Sequence, residues 1–398
     1  MNCKLAAGFA VAAVYVAAGS AFAQQQAAAS GPRGIAVGPL MAYPGIDFAH
    51  GYDDNLFSRQ TDRRSSSVSI VSPYVKVEGK PAPHSFEATF RIDSGNYHSN
   101  RAENYTDYSL GASGNVVISG RASLGLSASR RYGHDARGST DRAATATPDE
   151  YTNTGFAGTF GYGAPGAQGA ISVDGGWFRR EYQNNRATTA ASDRDTAQIG
   201  GIFYWRVAPK TQLLFNAQHS RIDYDQGTAA TTQDSTENRI YVGAKWDATA
   251  LTQGTAKFGR MTKSFDAPGR QDVSDSTWDI GVRWSPLTYS VFDFTSSKLT
   301  SESTGVGDSV VGKLYAVTWT HAWDSRLRSQ ALLNRRDDSF VGASSRKDET
   351  DTIGLKVSYQ FRRWLRFGLD YTFTDRASND PTLNYRKNVI LFTLGATL

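Results

Sequence analysis

The carboxy-terminal stretch alternates strictly between apolar and polar residues. From Leu365 to Phe373 every second residue is apolar, and after a polar loop the alternation returns from Ile390 to Leu398. A period of two is typical of a β-strand with one apolar and one polar face. Because the apolar face runs about ten residues and reaches the last residue, the pattern predicts a tilted strand that crosses a membrane.

The same rhythm extends back to Gly45, and short turns alternate with longer polar loops along the chain. Nine long loops and eight short turns predict an all-β fold, a transmembrane antiparallel up-and-down β-barrel of about 18 strands, with 16 as the alternative. An even number places both termini on the periplasmic side, with short turns inside and long loops outside. A soluble β-protein is the competing interpretation.

Charged residues occupy the polar faces of the predicted strands. An Arg or Lys facing lipid at mid-depth costs about 2–4 kcal/mol, so these faces are expected to point into the lumen. Barrels of about 16 to 18 strands hold an aqueous channel, and such residues would line a pore for a polar solute or simply solvate a wet interior. The predicted pore-lining residues are Glu87, Arg91, Asp93, Lys245, Asp247, Asp279, Arg283, Lys356, Arg366 and Asp370.

The amino terminus has the features of a secretory signal peptide. Lys4 precedes an apolar run and the small-residue site Ala21-Phe22-Ala23, which predicts a signal peptide over residues 1–23. Residues 24–44 are rich in Gln, Ala and Gly, which predicts a flexible periplasmic segment before a barrel over 45–398. The single cysteine, Cys3, lies in the removed part, so no disulfide is expected.

Composition and motifs argue against other classes of function. Cleavage would lower the formal charge from +5 to +4, too weak a charge to indicate nucleic acid binding. The letters Gly161-x-Gly163-x-x-Gly166 contain Pro165 and indicate a turn rather than a dinucleotide site. The histidines lack the spacing of metal ligands, and the sequence shows no nucleophilic side chain with an accompanying general base. We therefore expect no enzyme activity, no metal and no cofactor.

The first hairpin carries a more specific signal. The segment Tyr52-Asp53-Asp54-Asn55-Leu56-Phe57, followed by a strand from Ser67 to Pro73, resembles the opening of the putative β-barrel porin 2 family. Within that family the chain is most similar to the EpsL-type proteins encoded with exopolysaccharide biosynthesis genes. The resemblance implies an integral outer-membrane barrel of a Gram-negative bacterium that helps to move a secreted polysaccharide. Outer-membrane lipid, polysaccharide, export proteins and, through the carboxy-terminal strand, the barrel-assembly machinery would be its partners.

Two other functions suit the same barrel. A general diffusion porin for small polar nutrients would use the same wall, and a non-conducting structural barrel would close its lumen with its own side chains. Porins commonly carry one long loop that constricts the pore. Here no loop clearly dominates, since the longest, Asp135 to Glu150, has about sixteen residues, and this disfavours the nutrient porin.

Asp53, Asp54 and Asn55 suit a turn because their side chains bond to nearby backbone, and they supply too few ligands to hold Ca²⁺ by themselves.

Overall fold

The computed structural model describes residues 32–247 and 251–398. The predicted signal peptide, and the part of the predicted flexible segment before residue 32, lie outside these ranges. No helix in the described ranges is long and apolar enough to cross a membrane. The strands are β1 Ile35–Val37, β2 Leu40–Asp53, β3 Ser66–Gly79, β4 Ser85–Tyr97, β5 Tyr105–Val117, β6 Ala122–Asp135, β7 Asp149–Tyr162, β8 Gly169–Tyr182, β9 Arg194–Ala208, β10 Thr211–Tyr224, β11 Ser235–Trp246, β12 Thr252–Phe265, β13 Val273–Leu287, β14 Ser290–Glu302, β15 Ser309–Ala322, β16 Leu327–Val341, β17 Lys347–Arg362, β18 Leu365–Ser378 and β19 Tyr385–Thr397.

Helical structure is confined to the long loops of the described ranges. One short α-helix, α1 Arg186–Thr189, follows β8, and single 3₁₀ turns span Arg101–Glu103, Ala190–Ser192 and Pro381–Leu383. These turns all lie at the end of the molecule that carries the long loops. We call this end the long-loop end and the opposite end the short-turn end.

The sheet closes on itself. Each strand from β2 onward is antiparallel to the next, and β19 returns to β2, with Val389 opposite Asp53 and Thr397 opposite Gly45. Strands β2 to β19 therefore form a barrel of eighteen strands, and β1 is a short addition to β2. The predicted fold class and strand number are confirmed.

Several strand limits differ from those predicted, for identifiable reasons. β1 and the start of β2 lie inside the segment expected to be flexible, so the sheet begins before residue 45. The predicted turn Ser285-Pro286-Leu287 lies within β13, where a bulge in the pairing with β14 tolerates a proline. Strands β16, β17 and β18 run further into the predicted long loops, where charged strand ends pair across strands, as Asp348 on β17 does with Arg376 on β18.

The two faces of the wall differ in chemistry. Large apolar side chains such as Phe90, Leu355, Leu369 and Phe392 are exposed on one face, which is the outer face. Side chains on the opposite face reach strands that are not neighbours: the Tyr224 hydroxyl on β10 donates to Glu302 on β14. Such a contact must cross the interior of the barrel, so this face is the inner face.

The turn after β2, which contains Asp53, Asp54 and Asn55, bonds to β19, the last strand of the barrel. The Asp53 carboxylate lies 2.7 Å from Lys387 Nζ, and Asp54 accepts bonds of 2.7 Å from the backbone and side-chain nitrogens of Asn388. Asn55 is fully buried, donates to the carbonyls of Arg59 (2.8 Å) and Arg386 (2.9 Å), and accepts from the Arg59 amide. The turn therefore stabilises the β2 and β19 closure at the long-loop end.

Replacing Asn55 with alanine should weaken this closure. The substitution leaves buried backbone groups without partners, each costing roughly 1–3 kcal/mol. We expect a lower midpoint of unfolding in urea, followed by the heat-modifiable mobility of the folded barrel on gels. Asn96→Ala, at an exposed position on β4, is the matched control. Equal stability of the two variants would contradict the assigned role of Asn55.

Candidate functional site

The structure places nine of the ten predicted pore-lining residues within strands and on the face opposite the exposed apolar rows. Glu87, for example, lies between the outward Phe86 and Ala88 on β4. The tenth, Asp247, directly follows β11, where its amide donates to the Lys210 carbonyl. The nine are Glu87, Arg91 and Asp93 on β4, Lys245 on β11, Asp279 and Arg283 on β13, Lys356 on β17, and Arg366 and Asp370 on β18.

Two pairs of predicted residues come together. Arg91 Nε donates to Asp93 at 2.7 Å, and Lys356 Nζ donates to Asp370 at 3.0 Å. The remaining residues are spread around the wall, so they form a lining rather than a compact site.

Several partners on other strands were missed by the sequence reasoning, among them Lys76 on β3, which lies 3.0 Å from Glu87. Asp47 lies 2.8 Å from Arg91, Lys257 lies 2.8 Å from Asp279, and Asp293 lies 2.7 Å from Arg283. The last two pairs are directly opposite in the ladder, so correct strand registers would have found them. Because most of these charges are paired, the inner wall carries mixed sign and little local excess of either charge.

The lumen has free space beside the wall at mid-height and solvated charges toward the short-turn end. Gly111 on β5 and Gly281 on β13 belong to the inner face, and a methyl group added to either would meet no atom within 4 Å. The side chains of Arg283 and Lys356 remain 34% and 39% exposed. The half of the lumen toward the short-turn end is a vestibule with solvated charged walls.

Loops meet across the mouth at the long-loop end. The β6–β7 loop (residues 136–148) carries Asp141, whose carboxylate accepts a 2.5 Å bond from Arg346 in the β16–β17 loop. The same carboxylate accepts a 3.2 Å bond from the hydroxyl of Thr304, in the β14–β15 loop. These loops start from nearly opposite sides of the closed wall, so the contacts span the mouth.

The cation at this crossing is fixed and nearly buried. Arg346 also donates to Asp348, which in turn accepts a 2.9 Å bond from Arg376. Burial disfavours the charge of Arg346, but hydrogen bonds to Asp348 and Asp141 outweigh it and raise the pKa of the guanidinium above its usual value. The Arg346 guanidinium therefore stays charged over the whole physiological pH range.

One hairpin folds into the lumen. Pairing between β13 and β14 stops at Trp278 and Lys298, although β13 begins at Val273 and β14 continues to Glu302. At this point the Thr277 hydroxyl, on the inner face of β13, donates to the Lys298 carbonyl at 2.6 Å. The end of β14 thus leaves the wall and crosses the inside of β13. We call residues 299–311 the inturned hairpin.

Contacts of the inturned hairpin continue across the next strands. The Thr300 hydroxyl donates to Glu237 on β11, and Glu302 pairs with Lys263 on β12 and accepts a 2.7 Å bond from Tyr224 on β10. Lys263 is completely buried. An apolar cluster of Met261, Val273 and Val311 lies beside these bonds. The inturned hairpin and the loops therefore close the long-loop half of the lumen.

The sequence of β14 does not show which of its faces points outward, because Val291 lies on one face and Phe292 and Phe294 lie on the other. In the structure Phe292 and Phe294 belong to the outer face, where Phe292 stacks on Trp284 at 5.3 Å and on Trp319 at 6.2 Å. Beyond Lys298 the residues Leu-Thr-Ser-Glu show no distinct alternation. The local sequence therefore gives no signal that the strand leaves the wall.

The described residues contain no group of three or more His, Cys, Asp or Glu side chains placed to hold a metal ion. The carboxylates of Asp53 and Asp54, considered above as ligand candidates, are occupied by Lys387 and Asn388. The chemistry that the described inner wall offers is hydrogen bonding and paired charge.

Comparisons with known proteins agree with this architecture. The model of the putative β-barrel porin 2 family matches residues 28–397. No curated protein sequence matches the chain. Outer membrane protein OpdK of Pseudomonas aeruginosa is 13% identical, with a TM-score of 0.51 over 90% of this chain and 99% of that one. A BenF-like porin from Pseudomonas fluorescens is 9% identical, with a TM-score of 0.50 over 90% and 99%.

These similarities concern the fold, and the family match covers nearly the whole barrel. The chain is thus a member of the putative β-barrel porin 2 family, a porin-like β-barrel of the outer membrane.

Proposed function

We propose that this barrel is a gated outer-membrane conduit that assists export of a secreted polysaccharide. The observation that carries the proposal is the asymmetry of the lumen, with a solvated vestibule at the short-turn end and a closed long-loop end. With short turns in the periplasm, as is usual for bacterial outer-membrane barrels, a periplasmic solute can enter the vestibule but leaves only when the mouth opens. That arrangement suits outward passage.

The chemistry of the vestibule suits a glycan. Most of its charges are paired within the wall, and inner tyrosines lie beside two of its cations: Tyr74 near Arg91 and Tyr204 near Lys245. Polysaccharides offer hydroxyl groups for hydrogen bonds and apolar ring faces for aromatic contacts. The predicted lining, from Glu87 to Asp370, would in this proposal be the wall that the glycan passes.

Opening requires the inturned hairpin to move out of the lumen, and one edge of β13 is available to pair with it. Continuing the β13–β14 register beyond Trp278 and Lys298 would put Thr300 opposite Ser276 and Glu302 opposite Ser274. The upper part of β13, from Val273 to Thr277, pairs with β12 and, among the residues that the structure describes, has no ladder partner on its other edge. The hairpin could then exchange its lumen contacts for ladder bonds, which gives two discrete arrangements rather than a continuous deformation.

A general diffusion porin for small polar nutrients is the competing function, since the same paired charges would pass small solutes. The two functions place different requirements on the mouth of the barrel. A conduit for a polymer needs a controlled wide opening, whereas a diffusion porin conducts continuously.

Charge reversal tests whether the predicted lining faces a permeating solute. We expect that Arg91, Arg283, Lys356 and Arg366 changed together to Glu shift the selectivity of open channels in planar bilayers toward cations, because a narrow pore screens charge weakly. The matched control reverses four cations paired on the outer face near the long-loop end, Arg179, Arg221, Arg335 and Arg386. Equal shifts in both variants would contradict the assigned lining.

A reversible lock tests the gate and the export together. The chain beyond Cys3 has no cysteine, so Asp141→Cys with Thr304→Cys can form one disulfide across the mouth. In the double variant, oxidation should abolish channel openings and reductant should restore them, whereas the conductance of each single variant should not respond to oxidant or reductant. In cells that lack the wild-type gene, the oxidised double variant should leave glycan in the periplasm while small-nutrient uptake stays normal.

Two outcomes would overturn the proposal. Undiminished conductance with the disulfide formed would show that the mouth is not the gate. Normal glycan secretion by cells that lack the protein, with impaired uptake of small nutrients, would favour the diffusion porin.

A further inference from the structure

A small cavity lies beside the mouth, between the β2–β3 loop (residues 54–65) and the β6–β7 loop. Its volume is about 130 Å³, and it is lined by Phe57 and Arg59 from the first loop and by Arg137, Arg142, Asp135 and Asp149 around the second. A cavity of about 150 Å³ holds one benzene ring, so this space is comparable with one six-membered sugar ring rather than two.

The two acids of the cavity are already neutralised. Arg142 donates to Asp149 at 3.0 Å and to Asp135 at 2.8 Å, and Asp135 also accepts bonds from Arg180 and from the Tyr182 hydroxyl. The side chains of Arg142 and both acids are buried. These bonds fix the floor of the cavity and leave no carboxylate free to repel an anion.

The rim of the cavity carries a positive charge without a matching acid. Among residues 32–247 and 251–398, no carboxylate pairs with the Arg59 guanidinium, which lies 5.5 Å from the centre of the Phe57 ring. Arg137 lies over the same ring at 4.6 Å and donates to Glu103 and to the Thr145 carbonyl. Phe57 therefore holds two guanidinium groups at the rim, and one of them is available.

We propose that this cavity is a subsite for the carboxylate of an acidic sugar residue, with Arg59 as its principal donor. A planar guanidinium matches a carboxylate with two parallel hydrogen bonds, and the buried acids keep the cavity shaped for a single ring. The inference rests on the proposed polysaccharide function and narrows its substrate to a uronate-containing glycan. Thr140 and Arg142 line the cavity on either side of Asp141, so an occupied subsite would hold the glycan at the loop that closes the mouth.

Binding to the purified, folded barrel tests the subsite without requiring transport. The probes are trigalacturonate and, as the neutral comparison, maltotriose, titrated by calorimetry at low salt. We expect wild-type protein to bind trigalacturonate and not maltotriose, and Arg59→Gln to weaken trigalacturonate binding about tenfold, as expected for a lost charged hydrogen bond. Arg63→Gln is the matched control, because Arg63 is an exposed arginine of the same loop whose Nε donates to the Gln60 carbonyl.

The outcomes distinguish a failure of the proposed subsite from a failure of the proposed export function. Equal binding of both sugars, or equal losses in Arg59→Gln and Arg63→Gln, would overturn the subsite. Phe57→Leu should weaken trigalacturonate binding several-fold while the gel mobility of the folded barrel stays unchanged, because Phe57 positions the guanidinium. Intact, Arg59-dependent binding together with normal secretion in cells lacking the protein would support the subsite and reject the export function.

Discussion

The constraint on which this structure depends is that no backbone polar group can remain unpaired in the hydrocarbon of a bilayer. A β-sheet meets that constraint only by closing, and here β19 pairs with β2 to complete the wall. Closure then sorts the side chains, since alternate residues must face lipid or lumen. The turn from Asp53 to Asn55 stabilises the closing strands where they leave the membrane.

The same constraint is relaxed at the long-loop end, where strands extend beyond the apolar band. There the ladder between β13 and β14 stops at Trp278 and Lys298, and β14 turns into the lumen. The contacts that replace the ladder are buried and charged, and breaking one partner of such a pair costs about 3–5 kcal/mol. A buried ionic closure of this kind favours two discrete states over gradual loosening, which is what a gate requires.

The alternation of apolar and polar residues was sufficient to predict the barrel, its strand number and the inward face of Arg91, Asp279 and Lys356. Strand limits were less predictable, because Pro286 is tolerated by a bulge and charged strand ends such as Arg376 find partners on neighbouring strands. The inturned hairpin could not be predicted. The contacts of Thr300 with Glu237 and of Glu302 with Lys263 join strands distant in sequence, and the local pattern of residues 298–302 fits a wall strand equally well.

The inturned hairpin can act as the gate only if Thr300 leaves the lumen when the barrel conducts. Paired cysteines can measure this directly: Thr300→Cys with Glu237→Cys reports the position inside the lumen, and Thr300→Cys with Ser276→Cys reports the position in the wall. In resting protein the first pair should cross-link and the second should not, whereas in channels held open by voltage the second pair should form and the first should be lost. Conduction through barrels in which the first pair is fully cross-linked would contradict a moving hairpin.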